Sequence, residues 1–298
     1  MEGETPKRIG ETKPQEMLRR FKANKSAVFG LSMLVILVTC AILAPYIAPN
    51  DPNPMPPNLG NRLKPGFWSD DGAVGMPLGS DLQGRCLLTR ILYGARTSLS
   101  VGLVAVAIAL VLGIAIGVAA GYYGGWVDSI LMRIADIMFA FPALLLAIVI
   151  VATIGYGLDN AMIALGIVYT PQMARIIRGS VLYIRESEYI EAQHAIGSSN
   201  FRIIFRHVIP NSIAPILVYS TLMLATAILD CAALGFLGLG AQPPTPEWGA
   251  MLSKSYGFIL SGKWWAATFP GLAILFSVLG LNLLGDGLRD ILDPRLKT

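Results

Sequence analysis

The sequence predicts an all-α membrane protein with six transmembrane helices, and three observations carry that prediction. Hydrophobic residues make up 54% of the 298-residue chain and charged residues only 14%, against roughly 25% charged in an ordinary soluble domain. The mean hydropathy is +0.60. Six runs, residues 27–48, 98–121, 133–155, 159–176, 212–234 and 267–286, are long and apolar enough for a hydrocarbon core that takes about 20 helical residues to cross. Too little chain remains for a separate soluble domain, and no nucleic-acid partner is expected.

The first run follows a polar tail, residues 1–26. Small residues in "ILAPYIA" suit a cleavage site, but the run is longer than a signal-peptide core, so it reads as a retained helix. In the loop after it, Pro49, Pro52, Pro54, Pro56, Pro57, Pro65 and Pro77 oppose regular structure. The loop ends in "SDLQGRCLLTRILYGAR", residues 80–96, with Ser80 and Gln83 at capping-box spacing. Leu87, Leu88, Ile91, Leu92 and Ala95 share one helical face and Arg85, Arg90 and Arg96 lie off it, which predicts a short helix in the outer interface with snorkelling arginines. Residues 27–96 thus form one unit, and 97–298 the helical core.

Within the core, Gly113, Gly117 and Gly121 recur every four residues, a spacing that lets helix backbones approach closely in a membrane. Asp136 stands three residues after Arg133 and can pair locally. The fourth run is interrupted by Tyr169, Pro171 and Gln172. Asp230, inside "LATAILDCAALGFLGLG", is costly in lipid and should face protein or water; lining a pathway and making a buried structural hydrogen bond are equal alternatives for it. Cys40, Cys86 and Cys231 are odd in number and imply no disulfide framework.

Charge sets the orientation. With the amino terminus inside, the inner segments hold 16 of the 23 Lys and Arg, including Arg133, Arg175, Arg178, Arg185, Arg202 and Arg206. That bias obeys the positive-inside rule and places both termini and the 177–211 loop in the cytoplasm. The loop is long for a mere connection, and such loops usually have a task. Residues from about 181 to 196 suit one helix, Gly197 suits its end because it tolerates positive φ, and Ser198 or Ser199 can cap the next. There Phe201, Ile204, Phe205 and Val208 follow the helical repeat, with Arg202 and Arg206 on another face, and Pro210 disfavours continuation.

Two other function classes find little support. "TIGYG", residues 153–157, looks like a potassium-channel filter, but it ends a run long enough to cross outright, and a re-entrant reading would move five arginines outside. Catalysis lacks parts: His194 and His207 are the only histidines, and no metalloprotease, nucleophile-elbow or phosphate-loop motif is present. An autonomous secondary carrier would want ionisable groups or paired helix breaks near mid-bilayer, and Asp230 is the one clear interior acid.

"EAQHAIG", followed after nine residues by "HVIP", resembles the EAA motif of permease subunits in binding-protein-dependent ABC importers. Glu191, Ala192, Gly197 and Pro210 match it, whereas Gln193 departs from its second alanine. The stretches "GSDLQGRCLLTRILYGARTSL", "AALGFLGLGAQPPTPEWGAML" and "FPGLAILFSVLGLNLLGDGLRDILDPRLK" are similar to C-type permeases of the dipeptide, oligopeptide and nickel group, with Cys86 where aspartate is usual. The resemblance implies a type I importer with a MetI-like transmembrane core in a bacterial plasma membrane. Its partners would be a B-type permease, two ATP-binding subunits that hold the ATP and magnesium, and an extracytoplasmic solute-binding protein. It also implies that the 177–211 loop docks in an ATPase cleft, with Glu191, Ala192, Gly197, Phe201, Phe205 and Pro210 as coupling residues, and it leaves the solute open among dipeptide, oligopeptide, haem, glutathione and nickel.

Overall fold

The structure, a computed structural model, describes residues 13–54 and 57–292. Every regular element in that range is helical: α1 Lys13–Ala23, α2 Lys25–Ile47, α3 Leu87–Tyr123, α4 Gly125–Phe139, α5 Ala143–Ile154, α6 Leu158–Arg185, α7 Glu188–Ala195, α8 Asn200–Ile203, a π-helical turn Ile204–Val208, α9 Ile209–Asn211, α10 Ile213–Phe236, α11 Trp248–Ser255 and α12 Trp265–Leu292, with short 3₁₀ turns between some of them. Among the described residues, α2, α3, α10 and α12 are long and apolar enough to cross a membrane. The bent pair α4 and α5 makes a fifth candidate. The 28-residue α6 has the length for a sixth, but its polar side chains lower its hydropathy; it keeps them because one of its faces is buried, Tyr169, Thr170 and Pro171 included.

Six sequence expectations change. Residues 80–96 hold no separate interfacial helix: α3 runs unbroken for 37 residues from Leu87. Ser80 does not cap it; its Oγ donates to Asn61 O and accepts from Lys64 N at 2.9 Å. Arg85 and Arg90 are buried rather than snorkelling, because the proline-rich loop folds over them. The run 133–155 is two helices meeting at 90°, since Pro142 disfavours helical geometry at Phe141 and itself stands outside α5 with ψ 131°. The arm expected over 181–196 is split, with α6 continuing to Arg185 and α7 starting at Glu188. Asp136 pairs with Arg175 of α6 at 2.6 Å rather than with Arg133.

The three glycines of α3 do allow close approach. A Cβ at Gly117 would lie 2.5 Å from Ala174 O of α6, and one at Gly121 would meet Val181 at 2.9 Å. Two cores result. One, around α3, α5, α6 and α10, extends into the loop through Ile190, Ile203, Ile204 and Val208. The other joins α2, α10, α11 and α12 to the start of α3 and the proline-rich loop.

Candidate coupling surface and buried polar sites

The loop after α6 is a rooted helical hairpin. Ile190 and Ile203 are fully buried and hold its two arms to the first core. Gly197 ends α7 with φ of +77°, a value that L side chains rarely adopt. Two hydroxyls brace the corner. Ser198 donates to Gln193 Oε1 at 2.9 Å, so the glutamine that departs from the motif takes part in the turn. Ser199 Oγ accepts from Arg202 N at 3.4 Å and caps α8.

The apolar stripe expected on the second arm divides. Ile204 and Val208 turn inward with Ile203, whereas Phe201 is 71% exposed and Phe205 is also exposed. The two phenylalanine rings lie 4.5 Å apart on the outer side. Beyond Phe205 the helix loosens: Pro210 has no N–H to give to Arg206 O, and Ile209 N reaches back to Ile204 O, closing one π turn. Ile196, 74% exposed beside the corner, adds a third apolar group. Glu188, Glu191, Ala192, Arg202 and Arg206 are exposed around them, as is Pro210. Exposed apolar side chains grouped in a polar hairpin form a patch of the kind that meets a protein or a membrane.

Tyr122 and Arg185, to which sequence reasoning assigned no such role, tie the hairpin and the end of α6 to α3. Tyr122 donates from its hydroxyl to Asn200 Oδ1 at 2.9 Å and its ring stacks on His194. Arg185 donates to the carbonyls of Gly121 and Tyr122. The available signal was the aromatic pair "GYYGG" at the end of the glycine-spaced helix. Asp128 and Arg178 add a two-pronged ion pair between α4 and α6, at 2.5 and 2.6 Å.

Asp230 is not part of this surface. It lies 17 residues beyond the start of α10, about 25 Å along the axis, half-buried, and accepts from the Tyr169 hydroxyl at 2.6 Å. At the far end of α3 the polar groups are turned inward. Glu247, 1% exposed, accepts from Gly249 N and Ala250 N at 2.7 and 2.8 Å and so caps α11. Burial pushes its carboxyl above the usual range, against those two N–H groups and Ser98, which act to lower it. Arg90, 3% exposed, donates from Nη1 to Pro52 O, Asn53 Oδ1 and Pro244 O. Its signal in the sequence was ambiguous, because an arginine off the apolar face reads equally well as solvated.

These features define a multi-pass helical membrane protein with a polar hairpin that carries an exposed apolar patch. Residues 113–298 match the family described as binding-protein-dependent transport system inner membrane component, and residues 14–65 match the N-terminal TM domain of oligopeptide transport permease C. The chain belongs to that inner membrane component family and is a permease subunit of an ABC importer. It is 48% identical over 287 residues to the dipeptide transport system permease protein DppC of Alkalihalophilus pseudofirmus, covering 95% of this chain and 90% of the relative. It is 49% identical to the DppC protein of Escherichia coli K12, over 95% and 93% of the two chains. A glutathione transport system permease protein, GsiD of Escherichia coli O6:K15:H31, is 43% identical over 95% and 90%. Among solved structures, an inward-facing form of the MetNI methionine ABC transporter matches with TM-score 0.56 at 19% identity, over 68% of this chain and 96% of that one. That likeness is one of fold.

Proposed function

We propose that this permease carries dipeptides or short oligopeptides, forming half of the path with a B-type permease and drawing energy from two ATPase subunits that bind ATP and magnesium. The observation that carries the coupling part is the hairpin itself: Ile196, Phe201 and Phe205 stand exposed with Glu191 on two arms rooted in the core by Ile190 and Ile203. The peptide part is supported by relatives named for dipeptide and glutathione transport. The positive-inside bias supports a hairpin and termini on the cytoplasmic side, with an extracytoplasmic binding protein delivering solute opposite. Asp230, half-buried in a span, lines the path in this reading, the alternative being the structural hydrogen bond from Tyr169 alone.

In this reading Glu191 offers its charge to the ATPase cleft. Glu191→Lys should leave an unpaired or like charge in a desolvated contact, a change worth about 2–5 kcal/mol. In reconstituted complexes, uptake of labelled dipeptide and peptide-stimulated ATP hydrolysis should both fall, with less ATPase co-purifying and unchanged membrane levels. Uptake at the wild-type rate without any ATPase partner would overturn the proposal.

A further inference from the structure

The layer at the start of α3 encloses a cavity of about 130 Å³ that the coupling argument leaves unused, walled in part by Asp81, Gln83, Arg85, Arg90, Thr245 and Lys254. Three cations there meet one carboxylate. Asp81 is already engaged: Oδ1 accepts from the backbone N–H groups of Gln83 and Arg85 at 2.8 and 2.9 Å, and Oδ2 accepts from Arg85 Nε at 2.7 Å and pairs with its Nη2 at 2.6 Å. Arg90 Nε reaches the same Oδ2 only at 3.5 Å. It is left buried with no hydrogen-bond partner among the described residues. The other buried acid of this layer, Glu247, is turned to the first turn of α11.

Lys254 is exposed as a residue, yet its ammonium is partly desolvated. That burial first, then Arg85 and Arg90, pull its pKa below the ordinary lysine value, with Asp81 opposing. A buried guanidinium is tolerated when it is paired and hydrogen-bonded. The cavity is several times the roughly 30 Å³ share of one water. Water could fill it but would bring no negative charge.

We propose that this cavity binds one small oxyanion, of the carboxylate or phosphate class, which completes the cluster of Arg85, Arg90 and Lys254. Arg90 already gathers Pro52, Asn53 and Pro244, so the bound anion fastens the proline-rich loop, the start of α3 and α11 into one piece. The site lies apart from the hairpin, which is anchored at the opposite end of α3 through Tyr122.

The test uses the assembled transporter in a maltoside detergent, which carries no phosphate, with trifluoroacetate as probe followed by fluorine NMR line width at ionic strength held by chloride. Wild type should broaden the line saturably, and acetate and inorganic phosphate should displace the probe where equal chloride does not. Lys254→Gln, at an exposed position, should weaken binding about tenfold, as loss of one charge-assisted hydrogen bond does, and Lys254→Glu should abolish it. Repeating the measurement in phosphatidylglycerol nanodiscs separates the sources. Loss of the probe signal there assigns the site to a lipid phosphate, and a retained signal assigns it to a soluble anion. No displaceable broadening by wild type in detergent, or wild-type broadening by Lys254→Glu, overturns the proposal.

Discussion

The two ends of α3 solve opposite problems. At the hairpin end, apolar side chains face outward: Ile196, Phe201 and Phe205 are exposed while the polar corner holds its own shape. At the other end, charged side chains face inward: Arg85, Arg90 and Glu247 are buried, Arg85 on Asp81, Arg90 on the proline-rich loop and Glu247 on the first turn of α11. In the first region the exposed side chains have no partner within the described fold, so changing them should cost little stability. In the second the buried charges are held by hydrogen bonds, so changing them should cost more.

The largest stability effect that would sharpen this contrast comes from Glu247→Ala. It uncaps α11 and leaves two buried N–H groups without an acceptor, a loss of about 3 kcal/mol. The folded yield and thermal midpoint in detergent should drop clearly; an unchanged midpoint would break the comparison at its outer end. Next is Gly197→Val. Nothing lies within 4 Å of the added Cβ, so only the positive φ is penalised, by about 1–2 kcal/mol. Uptake should fall more than the thermal midpoint does, and Gly197→Asn, which tolerates that φ, should recover it. A large drop in the midpoint with normal uptake would mean that the corner is structural rather than coupling. The smallest stability effect is expected of Asp230→Asn, midway between the two ends, since the amide still accepts from Tyr169. The midpoint should shift by less than about 0.5 kcal/mol equivalent while transport slows; normal uptake would assign Asp230 to the buried hydrogen bond alone.

Hydropathy made most of the architecture legible. Runs expected at 27–48, 212–234 and 267–286 correspond to α2 Lys25–Ile47, α10 Ile213–Phe236 and α12 Trp265–Leu292, because lipid demands a continuous apolar helix and leaves few alternatives. The glycine spacing likewise foretold the α3–α6 contact. What escaped depends on neighbours. "MFAFPALLLAI" is uniformly apolar, so hydropathy passes through Phe141–Pro142 without registering the corner that proline imposes. The arginines at 85 and 90 lie off an apolar face, and nothing local says that a distant proline-rich segment will cover them. On the second arm, helical spacing placed four apolar residues together, but the neighbouring helices bury Ile204 and Val208 and leave Phe201 and Phe205 outside, a division that the repeat alone does not carry.

The uninterrupted length of α3 has a mechanical consequence. Its 37 residues measure about 55 Å, against a hydrocarbon thickness of about 30 Å, so it protrudes as a stiff rod. One tip is tied through Tyr122 to Asn200 of the hairpin, and the other through Arg90 to Pro52 and Pro244. A rod of that length tilted by about 10° swings one tip by about 10 Å relative to the other. Carried from one tip to the other, a rotation of that size needs no bend in the helix, so the 37 residues of α3 link the hairpin and the proline-rich loop as a single lever.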